Sequence, residues 1–313
     1  MNNPYNYSEL STNMVPSFVC YADILGYSQL SIDAIKSSQG EQFLSKLRNA
    51  LSKAYERVKE SAKDWSGGDC FSIKIFTDNI VVGYTTPSYI ENGGYGESEL
   101  GCIFSTFAEF QVGLAMEGFL IRGGIAFGNH YMDDEIVFGD ALIEAVSQDK
   151  GGGPPRISLA PSAVQLLQRH LGFYGEASFS PQYEATLTDS DGTTFLNYLD
   201  EAFLAYPDGG IFFEVIEGHK NTIIDGLQKY KGNPGIRSKY EWAARYHNFI
   251  CQEFVNRHPI PYGPDADEFL AAAAEEAQLL TKHLINFEAL AAVPSRINLN
   301  PIKPMNKKHC TTS

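Results

Sequence analysis

Phe18-Val19-Cys20-Tyr21-Ala22, closed by Asp23 and followed by Ile24-Leu25-Gly26-Tyr27-Ser28, reads as a short buried strand running into a turn. Working outward, Leu44, Leu47, Leu51, Tyr55 and Val58 recur at helical spacing between Glu41 and Lys63, with charges between them. That pattern predicts one long amphipathic helix. Phe71–Phe76 and Ile80–Tyr84 then read as two strands joined by Thr77-Asp78-Asn79, whose residue types suit a tight hairpin with Asp78 at its tip. A second long helix is expected over about Glu97–Gly118, and another strand over Phe119–Phe127, where Gly123-Gly124 predicts a close backbone approach. Ile136–Phe138 supplies a further hairpin partner, followed by a helix from Gly139 to about Asp149 and a strand at Arg156–Leu159 beyond Gly151-Gly152-Gly153-Pro154-Pro155. This order predicts an α+β fold, a ferredoxin-like βαββαβ core with an added hairpin, its sheet rich in antiparallel pairs and its helices on one face.

Past residue 170 the pattern changes. Phe195–Tyr198 and Ile211–Ile216 read as strands, and Ser238–Arg257 and Asp265–Ala292 as helices. The expected organisation is a flexible leader over 1–13, a core over 14–170, an α/β extension packed on the core over 171–297, and a flexible polar tail over 298–313.

The chain has 313 residues, 43% hydrophobic and 12% aromatic, which at this length allows roughly three-quarters of the unfolded surface to be buried. With 38 Asp+Glu against 24 Lys+Arg the net charge is −14, which argues against a surface built to grip nucleic acid. No run reaches the ~20 apolar residues of a membrane span, and Met1-Asn2-Asn3-Pro4-Tyr5 lacks the basic and apolar start of a signal peptide, so a cytoplasmic chain with no membrane partner is expected. Cys20, Cys70, Cys102, Cys251 and Cys310 are odd in number and lack CxxC spacing, which predicts reduced, mostly buried thiols.

Asp23 and Asp78 meet if their strands are neighbours. Such a carboxylate pair can hold hard divalent cations together with substrate phosphates, and the Ile24 carbonyl offers a further oxygen. Each also fits a plainer role, Asp23 as a helix N-cap and Asp78 as a turn residue. Arg122 equally fits a surface ion pair, and Lys74 a solvated strand lysine.

Taken together, Tyr21-Ala22-Asp23-Ile24-Leu25-Gly26-Tyr27-Ser28, Lys74-Ile75-Phe76-Thr77-Asp78 and Ile121-Arg122-Gly123-Gly124-Ile125-Ala126-Phe127-Gly128 resemble, in order and spacing, class III nucleotidyl cyclase catalytic domains over about residues 16–168. The resemblance implies that Asp23, Ile24 and Asp78 hold two divalent cations, Mn²⁺ or Mg²⁺, in a two-metal site. It also implies that Leu25, Gly26, Tyr27 and Ser28 bring backbone N–H groups to the phosphates, that Arg122 contacts the triphosphate, and that Lys74 reads the base. A head-to-tail homodimer, with metal ligands from one chain and base contacts from the other, is implied as well.

Two positions depart from the purine cyclases of that family: where they carry an Asn and an Arg that stabilise the transition state, this chain has Ile143 and Ser147. Losing one such donor typically costs on the order of 100- to 1,000-fold in rate. Lys150 and Arg156 are the cations nearby in sequence that could substitute; a degenerate, non-catalytic nucleotide-binding module is the alternative. With Val137-Phe138-Gly139-Asp140-Ala141-Leu142, Tyr240-Glu241-Trp242 and Tyr246-His247-Asn248, the chain is most similar to the bacterial pyrimidine cyclases of Pycsar antiphage defence. That resemblance implies conversion of UTP to cyclic UMP, or of CTP to cyclic CMP, the product acting on a separate effector protein. Gly67-Gly68-Asp69-Cys70-Phe71 imitates the signature of diguanylate cyclases but precedes the strand instead of occupying the hairpin turn. Asp133-Asp134-Glu135 reads as a solvated turn and His247 as a core or interface histidine.

Overall fold

The computed structural model describes Tyr5 and residues 13–66, 71–86, 97–149, 152–174, 176–180, 182–261, 267–286 and 295–296. The signature-like Gly67–Cys70 and nearly all of the leader and tail lie outside these. Among the described residues nine strands form one sheet, in the order β2-β3-β1-β4-β6-β8-β7-β9, with β5 paired to β4. β1 is Val15–Ile24, β2 Phe71–Phe76, β3 Asn79–Thr85, β4 Ile121–Met132, β5 Val137–Gly139 and β6 Ile157–Leu159; β7 is Thr186–Thr188, β8 Thr194–Leu196 and β9 Ser295–Arg296. Only β4 and β6 run parallel among them. The fold is α+β with a mixed, mostly antiparallel sheet, and the β2-β3-β1-β4 block has the expected split-βαβ order.

Alternation along β1 decides the layers. Phe18, Cys20, Ala22 and Ile24 face a core with Leu47, Ala50, Ala54 and Val58 of α2 (Gly40–Ser66), Phe104, Phe107 and Leu114 of α3 (Glu97–Met116), and Leu167 and Leu171 of α5 (Pro161–Tyr174). Val19 and Tyr21 point the other way. There they meet Ala141 and Ala145 of α4 (Asp140–Ser147), together with Tyr5. Helices therefore cover both faces, correcting the expectation of one: α4 belongs to the crossover between β5 and β6 and lies across the sheet from α2 and α3. Tyr5 is fully buried, donating its hydroxyl to Ser17 Oγ (3.2 Å).

A second core holds the extension to the first. Ala108, Val112 and Ala115, on the far side of α3, pack with Phe195, Tyr198, Val215, Ile216, Trp242, Tyr246 and Phe254. Residues 211–216, read as a strand, instead lead into helix α7 (Phe213–Lys229), whose buried Val215, Ile216, His219, Ile223 and Gly226 follow helical spacing. α8 (Pro234–Arg257) is capped by Asn233, and α9 (Glu268–Gln278) by Asp267. A single helical turn, α6 (Gln182–Ala185), precedes β7.

Four groups in this second core form a chain of hydrogen bonds: Tyr198 Oη to His219 Nε2 (2.8 Å), His219 Nδ1 to His247 Nδ1 (3.0 Å), and His247 Nε2 to the carbonyl of His283 (3.1 Å). A carbonyl only accepts, so His247 carries its proton on Nε2 and receives one from His219 Nδ1, while His219 Nε2 accepts from Tyr198. With both rings neutral every contact in this chain pairs a donor with an acceptor. His247 is a core histidine, as expected.

Candidate functional site

The sheet register places Asp23, at the end of β1, opposite Arg122 of β4 on one side and Asn79 of β3 on the other. The β2–β3 turn is tight, with Thr77 at φ +58 and its Oγ1 donating to Asp78 Oδ1 (2.8 Å). Ile24 donates its N–H to the Asp78 carbonyl (3.3 Å), so the hairpin tip is tied to the end of β1. Asp23, Ile24 and Asp78 are thus brought to one place, as the strand reading required.

The paired glycines make this approach possible. A Cβ on Gly123 would lie 1.9 Å from the Tyr21 carbonyl oxygen, and one on Gly124 would lie 2.5 Å from the Ala145 carbonyl oxygen of α4. Only glycines let β4 sit this close to β1 and let α4 descend on it. The chain leaving α4 then delivers Asp149 to the same spot.

Arg122 forms a two-pronged pair with Asp23, Nε to Oδ1 at 2.8 Å and Nη2 to Oδ2 at 2.9 Å. Its Nε is also 2.8 Å from Asp149 Oδ1. These hydrogen bonds to Asp23 hold the guanidinium above its ordinary pKa, against the opposing cost of burial. Burial, followed by the Asp23 charge, pushes the Asp149 carboxyl up to about 6, with Arg122 and Lys239 pulling it back. Tyr21 stands on the same face, its hydroxyl donating to Asn79 Oδ1. Its pKa is raised by burial and by the carboxylates of Asp23, Asp149 and Asp78. Lys239, from the second turn of α8, is half-buried; burial and the Arg122 charge lower its pKa.

Asp149, Tyr21 and Lys239 were not singled out in the sequence. Asp149 carried a weak signal as the end of a predicted helix, whereas Lys239 sits in Arg237-Ser238-Lys239-Tyr240-Glu241, which reads as an ordinary charged helix surface.

The remaining expected residues divide. Gly26 starts α1 (Tyr27–Lys36) at φ +72 with no side-chain cap, so the first N–H groups of that helix have no intrahelical partner. Leu25 is spent elsewhere: its side chain is buried and its N–H goes to the Leu120 carbonyl (2.8 Å). Lys74 shares the face of Tyr21 but lies two strands away, its ammonium donating to the Asp133 carbonyl (3.0 Å) over the Phe76 ring. Ile143 is exposed, and Ser147 donates to the Glu144 carbonyl (2.6 Å). Lys150 lies outside the described residues. Arg156 cannot serve as the substitute cation: it is buried, paired with Asp189 and with Asp191 (2.6 Å), and lies over the Phe195 ring. Asp133 closes its own turn, accepting from Glu135 and Ile136 N–H, as a solvated hairpin loop should.

The donors gathered at the β1 end are all oxygens. Among the described residues no group of three or more His, Cys, Asp or Glu side chains could by itself hold a metal ion. Two carboxylates and a carbonyl suit Mg²⁺ or Mn²⁺ that completes its shell with phosphate and water, and do not suit an all-protein cage. Among the described residues no helix is long and apolar enough to cross a membrane.

No protein-family model matches the chain, and no curated protein does. Solved structures similar to it include the adenylyl cyclase CyaB from P. aeruginosa, 14% identical over 60% of this chain and 95% of that one with a TM-score of 0.39. A bacterial light-regulated adenylyl cyclase is also similar, 12% identical over 59% of this chain and 91% of that one, with a TM-score of 0.36.

Proposed function

We propose that this chain is a pyrimidine nucleotide cyclase that converts UTP to 3′,5′-cyclic UMP and diphosphate. In this reading it works as a head-to-tail homodimer whose product acts on a separate effector protein. The observation that carries the reading is the convergence of Asp23, Asp78 and Arg122 at the joined ends of β1, β3 and β4.

In the reaction, a bond forms between the ribose 3′-oxygen and the α-phosphorus, the bond from that phosphorus to the bridging oxygen breaks, and its electron pair leaves on diphosphate. The 3′-hydroxyl proton passes to water. The Asp23 and Asp78 carboxylates and the Ile24 carbonyl would hold Mn²⁺ or Mg²⁺. When bound, such a cation lowers the pKa of the 3′-hydroxyl and offsets phosphate charge. Arg122 presents a planar fork that matches phosphate oxygens as well as it matches Asp23. The open N–H groups of Gly26, Tyr27 and Ser28 face the same anion at a helix start. Lys74 reads the base for the neighbouring protomer's site. The net charge of −14 is compatible with this substrate, because the counter-charge is brought in as metal and concentrated in a few local cations.

A second reading, a nucleotide-binding module without turnover, is favoured by the Arg122 fork that spans both oxygens of Asp23 and by Ile143 and Ser147. Purified protein incubated with each of the four NTPs and Mn²⁺ separates the two. Diphosphate and cyclic UMP from UTP are expected; cyclic CMP from CTP alone would reassign the base, and binding without any product would support the module. Asp78→Asn should abolish product formation with the fold intact, and cyclisation that survives it refutes the metal assignment.

A further inference from the structure

Arg122 touches two carboxylates, Asp23 and Asp149, but the cation beside it touches neither and feels them only at a distance. Lys239 has no hydrogen bond and no ion pair within 4.0 Å among the described residues, although it is half-buried. An ordinary surface lysine extends its ammonium into water and avoids a neighbouring guanidinium. Here burial and the Arg122 charge both disfavour the charged form, and the acids oppose that only in part. Two cations side by side, one of them in direct contact with no carboxylate, is an arrangement that a multivalent anion can bridge.

Glycine keeps the gap between these two cations free of a side chain. A Cβ on Gly152 would lie 3.6 Å from Arg122 Nη1 and 3.6 Å from Lys239 Nζ, and Gly152 sits at φ +72, where other residues are strained. The point where a side chain would begin therefore lies within reach of both cations and is left vacant by glycine.

The position of Lys239 is also fixed through a traceable route. One turn along α8, Trp242 donates Nε1 to Asp189 Oδ2 (2.7 Å). Asp189 pairs with Arg156, whose carbonyl accepts from the N–H of Gly123 (3.0 Å), the residue next to Arg122. The extension helix is thereby pinned to the strand that carries the site arginine.

We propose that Lys239 is a triphosphate ligand supplied by the extension, binding with Arg122 the β- and γ-phosphates that leave as diphosphate. It supplies from within the same chain a cation at a site where Ile143 and Ser147 offer none. This rests on the cyclase reading and names one more residue of that site. The charge that develops on the leaving diphosphate is where a fixed ammonium contributes most.

The test uses the full chain, with Lys239→Gln and Lys239→Arg. Calorimetric titration with inorganic diphosphate, without divalent cation, reads the cation pair apart from turnover. Lys239→Gln should weaken diphosphate binding about tenfold or more and lower cyclisation about 100-fold, with Lys239→Arg recovering most of both. Binding of UMP, which lacks the β- and γ-phosphates, should stay unchanged in Lys239→Gln. If Lys239→Gln binds diphosphate and cyclises UTP like wild type, the Lys239 assignment falls while the cyclase reading stands. If wild type yields no cyclic product from any NTP but Lys239→Gln still loses diphosphate binding, the cyclase reading falls and the anion site stands. Unchanged diphosphate binding in an inactive protein removes both.

Discussion

Acidification should destabilise this protein through its buried histidine pair. Burial pushes His247 down to about 4 from 6.5, and His219 is lowered by burial and by the neighbouring ring. Between those two values the unfolded chain binds the proton and the folded chain does not, so stability is full above the unfolded value and is lost as pH falls toward the folded one. For His247 alone, going from about pH 7 to about pH 5 removes about 2 kcal/mol, a sizeable part of the 5–15 kcal/mol that a domain typically has. The geometry gives the same sign. A second proton on His247, with the His219 proton kept on Nδ1, would set two N–H donors against each other across the 3.0 Å contact. Urea unfolding of wild type and His247→Gln at the two pH values isolates this contribution from the other titrating groups. The variant should be less stable near neutrality yet lose about 2 kcal/mol less on acidification. If both proteins lose stability in parallel, His247 is not held neutral and the proton assignment along Tyr198, His219 and His247 is wrong.

Gly123→Ala should cost about 3 kcal/mol or more, because its Cβ would sit 1.9 Å from a backbone oxygen that cannot move without parting β1 from β4. An unchanged thermal midpoint would mean the two strands are not seated as described. Arg156→Met should cost about 3–5 kcal/mol by stranding Asp189 in the interior. Adding Asp189→Asn, which still accepts from Trp242, should recover most of that by chemical denaturation, and a double variant no better than the single one would remove the charge-pair explanation. Gly226→Ala drives a Cβ to 2.0 Å from the Tyr240 ring, so α8 must shift at the residue after Lys239. Diphosphate affinity should fall along with stability, and a loss of stability alone would show that the helix position does not reach the site.

The parts of the fold legible in the sequence were those whose pattern is local. Alternation in β1, the hairpin around Thr77-Asp78 and the paired glycines of β4 each state their geometry within a few residues. They place Asp23 at a strand end, Asp78 at a hairpin tip and Arg122 beside the paired glycines, and the register joins the three. Ile211–Ile216 misled because a short apolar run looks alike in a strand and at the start of a buried helix, and Gly218, Thr222 and Gly226 dilute the helical signal that follows. Gly226 is there for packing, since the Tyr240 ring fills the space of a side chain. Arg156 misleads for a related reason: closeness along the chain to Ile143 and Ser147 suggests the site, but the turn at Asp189 and Asp191 claims it from the other side. Lys239 was invisible because its placement depends on Trp242, Asp189 and Arg156, three residues far apart in sequence.

Helix α3 has no solvent side of the usual kind. Phe104, Phe107 and Leu114 serve one core while Ala108, Val112 and Ala115 serve the other, so it is a party wall between two rooms. Neither room closes without it. Cutting the chain after residue 170 would strip that helix's outer face and leave a sticky stripe in water. The extension and the sheet should therefore melt as one cooperative unit, so that damage to the far end of α8 is felt by strands it never touches.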